Sequence, residues 1–330
     1  MDQSLHIKKK IDFRSFIKLG LSLIALVLGL SILSPIGAQD FPNRPVTLVV
    51  PFTPGSGVDL TARAIQPYAE KALGVSMVID NVPGADSRIG TAKIYKANPN
   101  GYTIGIHGFP VPIIHQYLFD VSYKPLDFSF IYAWALAPML LFVSEDNWKN
   151  FDDFLLEAKK RPMSIGVAGY GSVVHVLAMA AAKKMNLKFK YIPFSGSKEG
   201  FTALAGKHID ANIGSTDAAL GMVQGKLVRP ILVWSFHAEP NFPDVPLSTT
   251  YNLPTLVQMR GVFGPPKIPD DRVRVLEKAF SRAATDPKLV EWAKTRGVDL
   301  VSLNAKQFQQ EVEKQQAVVK DYKDLLVKAP

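Results

Sequence analysis

From Val46 onward, short runs of β-branched and aliphatic residues alternate with amphipathic stretches of helical length, and few architectures accommodate that order. Val46–Val50 precedes 58–73, Val75–Ile79 precedes 88–97, and Thr103–Ile106 precedes 111–119. Buried runs separated by helical stretches predict parallel strands joined by helical crossovers. The order resumes with Ser164–Val167 before 172–185, Phe189–Ile192 before 198–205, Ile209–Ile213 before 216–224, and a further strand at Ile231–Ser235. Two such series predict two α/β lobes, each a mainly parallel sheet flanked by helices.

The tail reads differently. Residues 270–283, 287–296 and 304–328 predict helices, the last opened by Asn304 as N-cap, and they are expected to pack back on the first lobe. The chain then passes between lobes twice, near Leu141–Ser144 and near Arg260–Pro265, where Gly261, Gly264, Pro265 and Pro266 punctuate the sequence. Residues 41–141 with 260–330 therefore form a discontinuous first lobe and 142–259 the second. Two crossings make a hinge.

Composition narrows the function. The chain carries +9 formal charge, of which five basic and two acidic residues in 1–38 contribute +3. The remaining positive balance suits anionic ligands, but the basic residues are scattered rather than gathered into a stripe, so no nucleic-acid partner is expected. There is no cysteine, which excludes disulfides, thiolate catalysis and cysteine-ligated zinc. The six histidines form no HExxH pair, and neither GxGxxG nor GxxxxGK[ST] occurs. No metal and no cofactor is expected.

A basic segment ending at Lys18 precedes an apolar stretch, Leu19 to Leu33, and then Ser34-Pro35-Ile36-Gly37-Ala38. This is the order of a secretory signal peptide, 1–38, cleaved after Ala38. The competing reading is an uncleaved anchor, for which the apolar stretch falls short of the roughly 20 residues needed to span a bilayer.

Two loops leave predicted strands and open predicted helices. Pro51-Phe52-Thr53-Pro54-Gly55-Ser56-Gly57-Val58-Asp59 follows the first strand, and Gly169-Tyr170-Gly171-Ser172-Val173-Val174-His175 follows the first strand of the second series. In an open sheet such loops lie at the carboxyl edge, where glycine lets the backbone approach a ligand and the helix start favours an anion. Each loop equally reads as a tight turn, with Asp59 complementing the helix dipole and His175 a packed core histidine. Asn81-Val82-Pro83-Gly84-Ala85-Asp86, Ile192-Pro193-Phe194-Ser195-Gly196 and Gly214-Ser215-Thr216-Asp217 are further loops that either complete a polar pocket or form capped turns. A secreted serine hydrolase is the enzyme alternative, since Ser56, Ser172, Ser195 and Ser215 lie near glycines with His175 and Asp217 available. None stands in a GxSxG elbow.

Ordered motifs extend these loops over the whole chain. Phe41-Pro42-Asn43-Arg44-Pro45, the segment 49–59, Asp80–Ala85, Pro99-Asn100-Gly101-Tyr102-Thr103, the loop 169–175, Ile192–Gly196, Gly206–Asp210, Phe242–Pro246, Gly261–Pro266 and Asp286-Pro287 resemble the periplasmic receptors of tripartite tricarboxylate transporters, of Bug or TctC type. The resemblance implies a type II Venus-flytrap fold and a monomeric receptor that binds a di- or tricarboxylate, an aromatic acid or an amino acid without reaction. It further implies delivery of that ligand to the integral membrane subunits of the transporter. A receptor that signals to a sensor kinase would look the same in sequence. Carried over by position, the ligand-binding residues are Phe52, Gly55, Ser56, Gly57 and Asp59 in one lobe, and Tyr170, Gly171, Ser172, His175, Ser215 and Asp217 in the other. The chain departs from the family pattern at Ser56, Asp86, Ser87 and Lys198, where glycine is usual, and at Pro67, a proline expected to kink the first helix. Asp86, Ser87 and Lys198 are the places expected to tune ligand range.

Overall fold

The computed structural model describes residues 41–194, 197–235 and 237–326. The expected signal peptide, 1–38, and the loop serine Ser195 lie outside the described residues.

Eleven strands form two sheets among the described residues. The first contains β1 (Val46–Val50), β2 (Met77–Asn81), β3 (Thr103–Phe109), β4 (Ser129–Ala137), β10 (Gln258–Gly264) and β11 (Asp299–Asn304), in the order β11-β4-β10-β3-β1-β2. The second contains β5 (Met139–Ser144), β6 (Met163–Val167), β7 (Phe189–Pro193), β8 (Ala211–Ser215) and β9 (Val228–Trp234), in the order β7-β6-β8-β5-β9. In each sheet a three-stranded parallel half, β2-β1-β3 or β7-β6-β8, carries the helical crossovers. The other half is antiparallel, so both sheets are mixed. The two-lobed α/β architecture is the expected one; the antiparallel strands are additional to it.

Topology decides which edges meet. Strands β3 and β4 both run antiparallel to β10, so they run parallel to each other, and Phe109 and Ala137 finish beside the start of β10. Strand β5 runs antiparallel to β8 and β9, and its first residue, Met139, pairs with their last residues, Ser215 and Trp234. The chain therefore crosses at Pro138 from the carboxyl edge of one parallel half to that of the other. It returns the same way, from Trp234 through 235–257 to Gln258. Leu141–Ser144, read from sequence as a crossing, lie inside β5, because Pro138, which has no N–H to give a ladder, separates two strands that otherwise form one apolar run.

Packing follows from the pattern. Helix Gly57–Leu73 buries Val58, Thr61, Ala62, Ile65 and Ala69 and ends on Gly74 in the left-handed region (φ 73°); it runs on through Pro67 without a break. Helix Ala305–Asp321 starts with a capping box between Asn304 and Gln307 and sets Phe308 against Phe109 and Phe130, with ring centroids 5.4 and 5.0 Å apart. It ends at Asp321, and a separate short helix covers Lys323–Leu326, in place of one helix over 304–328. Its Gln315 donates to the Val257 carbonyl at 3.0 Å, tying the tail to the returning segment. In the second sheet Phe142 meets Phe201 at 5.0 Å, while helix Val173–Met185 is buried along nearly its whole length.

Candidate functional site

Strands β1 and β6 are the positions at which their sheets reverse direction: β2 lies to one side of β1 and β3 to the other, as β7 and β8 flank β6. In open α/β sheets the crevice outside the carboxyl end of such a strand is where ligands bind. The two glycine loops leave these two strands.

Their local geometry is the same. Gly55 (φ 81°) precedes Ser56, the N-cap of helix Gly57–Leu73, with φ −67° and ψ 160°. Gly171 (φ 75°) precedes Ser172, the N-cap of helix Val173–Met185, with φ −69° and ψ 162°. Each cap hydroxyl accepts from the backbone N–H three residues on, of Asp59 and of His175, at 3.3 Å in both loops. Each glycine N–H donates to the side chain four residues on: Gly55 to Asp59 Oδ2 at 2.8 Å and Gly171 to His175 Nδ1 at 3.0 Å. Positive φ makes glycine the low-strain residue at both positions. The first backbone N–H groups of each helix have no acceptor within it, so both loops present donors and the positive end of a dipole.

Asp59 and His175 are buried parts of these loops. Asp59 is 1% exposed and also accepts from Arg63 Nε (2.9 Å) and Asn81 Nδ2 (2.8 Å). Burial opposes its charge, but the bonds from Arg63, Asn81 and the Gly55 N–H prevail and hold its carboxyl below the ordinary value. Asn81 also donates to the Phe52 carbonyl at 3.1 Å, which fixes the other arm of the loop, and the Phe52 ring lies edge-on to His107 at 5.0 Å. His175 is held between Tyr170 and Tyr191, ring centroids 5.2 and 4.8 Å away. Burial pushes its pKa down to about 4, so the ring is neutral at pH 7. Because Nδ1 accepts from Gly171, the proton resides on Nε2.

These bonds leave no nucleophile–base pair at the second loop. Ser172 Oγ donates to the Gly169 carbonyl at 2.8 Å and accepts from the His175 backbone, not from its ring. At the third loop Ser215 is the N-cap of helix Thr216–Gln224, yet its hydroxyl donates to Asp217 Oδ1 instead of capping a backbone N–H.

The described contacts bring Gly57 and Asp217 together across the two sheets. A methyl group placed on Gly57 would lie 3.2 Å from Nη2 of Arg260 and 3.8 Å from Asp217 Oδ2. The second loop touches the first sheet's side elsewhere: a methyl on Gly171 would run into Leu118, the last residue of helix Val111–Leu118. Arg260, Thr61 and Leu118 escaped the sequence reading as site residues, whereas Asn81 belongs to one of the loops read as completing a polar pocket or forming a capped turn. The available signal for Arg260 was a lone charge inside the apolar run Met259-Arg260-Gly261-Val262-Phe263. Of the departures from the family pattern, Ser87 is 3% exposed and hydrogen-bonds His107 Nε2 at 2.9 Å, behind Phe52, whereas Asp86 and Lys198 are exposed.

The family described as "Tripartite tricarboxylate transporter family receptor" matches residues 61–324. A UPF0065 protein from the tcbD-tcbE intergenic region of a Pseudomonas species is 29% identical over 294 residues, covering 86% of this chain and 88% of the relative. A TctC solute binding protein from Polaromonas superposes with a TM-score of 0.77 at 26% identity, covering 88% of this chain and all of that one. R. palustris Rpa4515, solved with adipate, gives a TM-score of 0.75 at 25% identity over 87% of this chain and 98% of its own. The Polaromonas solute binding protein and Rpa4515 share the two-lobed α/β fold of this chain. The family match spans most of the length, and the chain belongs to the tripartite tricarboxylate transporter family of receptors.

Proposed function

We propose that this receptor captures a small carboxylate between the carboxyl edges of its two sheets and releases it unchanged to the integral membrane subunits of a tripartite tricarboxylate transporter. The observation that carries this reading is the duplicated helix start: Gly55-Ser56 with Asp59, and Gly171-Ser172 with His175, on the two strands where the sheets reverse. Backbone N–H groups there suit a carboxylate and ask little of the rest of the ligand. Phe52, Gly57, Tyr170, Ser215 and Asp217 complete the proposed pocket. The lobes divide where the chain changes sheet, at Pro138 and within 235–257, and the two connections act as a hinge. The adipate bound by Rpa4515 supports a dicarboxylate among the candidates.

The hydroxyls of Ser172 and Ser215 support a non-enzymatic role: they donate to the Gly169 carbonyl and to Asp217. The leader sequence places the monomeric mature protein in the periplasm in this reading, and among the described residues no helix is long and apolar enough to cross a membrane. Thermal-shift titration of the mature chain with mono- and dicarboxylates and aromatic acids tests it. Saturable stabilisation by at least one acid is expected. Absence of stabilisation by every acid, turnover of one, or labelling by a serine-reactive phosphonate contradicts it.

A further inference from the structure

Arg260 is 4% exposed, stands at the start of β10 opposite Gly108, and so occupies the carboxyl edge of β3. Its guanidinium is anchored on one side only. Nη1 donates to Thr61 Oγ1 at 3.0 Å, and Thr61 in turn donates to the Gly57 carbonyl at 2.6 Å, which fixes the cation against the first helix start. The opposite edge, Nε with Nη2, is the one that grips a carboxylate with two parallel bonds. On that edge Nε has no hydrogen-bond partner among the described residues, and Nη2 reaches Asp217 Oδ2 only at 3.4 Å, beyond the usual 2.7–2.9 Å of a charge-assisted bond. Asp217 is 24% exposed and is already held through Oδ1 by Ser215, so it is a partner the cation can exchange.

We propose that Arg260 is the specificity-determining cation of the cleft: a carboxylate of the ligand takes the Nε–Nη2 edge at the start of helix Gly57–Leu73 and displaces Asp217. This rests on the carboxylate-receptor reading and names the side chain that selects an anion at this end of the pocket. Asp217 competes with the ligand for Arg260 and bridges the two sheets until the ligand replaces it.

The test is calorimetric titration of the mature wild-type chain, R260Q, R260K and D217N with succinate, glutarate, adipate and benzoate. With the tightest of these acids, R260Q is expected to lose at least tenfold in affinity. R260K, which keeps the charge without the fork, should fall between R260Q and wild type. D217N, nearly isosteric and partly exposed, should bind several-fold tighter because the competing charge is gone; its melting curve reports independently that it is folded. Unchanged affinity in folded R260Q, or weaker binding in D217N, overturns the assignment while leaving the receptor reading in place. No binding of any of these acids to wild type would overturn the assignment, and failure of tricarboxylates and amino acids as well would remove the receptor reading too.

Discussion

Asp59→Asn removes one charge and no volume, yet the structure predicts a large effect. Both carboxylate oxygens face donors only: Oδ1 accepts from Asn81, and Oδ2 accepts from the Gly55 N–H and from Arg63. An amide must therefore set its NH2 against a donor whichever way it is turned. Asn81 cannot adapt by turning, since its Oδ1 accepts from Arg63 at 3.0 Å and its Nδ2 also donates to the Phe52 carbonyl. The milder orientation forfeits the bond to Asn81 and leaves a buried donor unpaired, about 1.5–3 kcal/mol for a bond to a charged group. Loss of the charge in the first helical turn adds about 0.3–1 kcal/mol. The total, roughly 2–4 kcal/mol, corresponds at about 2–4 °C per kcal/mol to a fall in Tm of roughly 4–16 °C. Scanning calorimetry of the mature chain at pH 7 measures it. Because the folded carboxyl titrates below its ordinary value, its stabilisation is present above about pH 4 and is lost as pH falls through the folded pKa. The gap between wild type and variant should accordingly close in acid. A variant that melts within about 1 °C of wild type at pH 7, or a gap that widens in acid, refutes the role given to Asp59.

Ser172→Asp sets a negative charge where the second helix start would receive the carboxylate, and calorimetric titration should show binding abolished; retained affinity would remove this loop from the site. Gly171→Ala combines a φ of 75°, about 1–2 kcal/mol of strain for a residue with a Cβ, with a collision at Leu118, so both Tm and carboxylate affinity should fall. Asp299 on β11 lies against Glu239, and burial together with that neighbouring charge pushes its pKa up to about 7. A proton on Asp299 supplies the donor that Glu239 Oε2 otherwise lacks among the described residues. The folded value is raised, so this stabilisation is complete below about pH 4 and is lost as pH rises through about 7. Over that window the melting temperature of Asp299→Asn, taken relative to wild type so that the buried histidines common to both cancel, should rise with pH; a difference that stays constant would contradict the pairing.

The parallel halves were legible because short strands there alternate with long amphipathic stretches, and β1 was read with the limits it has in the structure. The antiparallel strands were not. Strand β4 is buried on both faces and runs through Pro138 into β5, so the segment has no period to distinguish strand from helix. Strand β10 was read as hinge punctuation because of its glycines, but Gly261 is small for packing: a methyl there would lie 2.5 Å from the Phe308 ring. At the site, both glycine loops were visible as turns opening helices. The bond that shapes the first one was not, because it depends on Asn81, which lies 22 residues from Asp59 in sequence. Arg260 belongs to the same class of omission, since its position beside Gly57 follows from the antiparallel insertion of β10 between β3 and β4.

The central claim, a carboxylate held between two helix starts, is tested most directly by titrating the mature chain with a panel of mono- and dicarboxylates in a calorimeter and recovering the acid afterwards. One-to-one saturation with the acid recovered chemically unchanged is the predicted result. Failure of every acid to bind, or consumption of one during the titration, would contradict it.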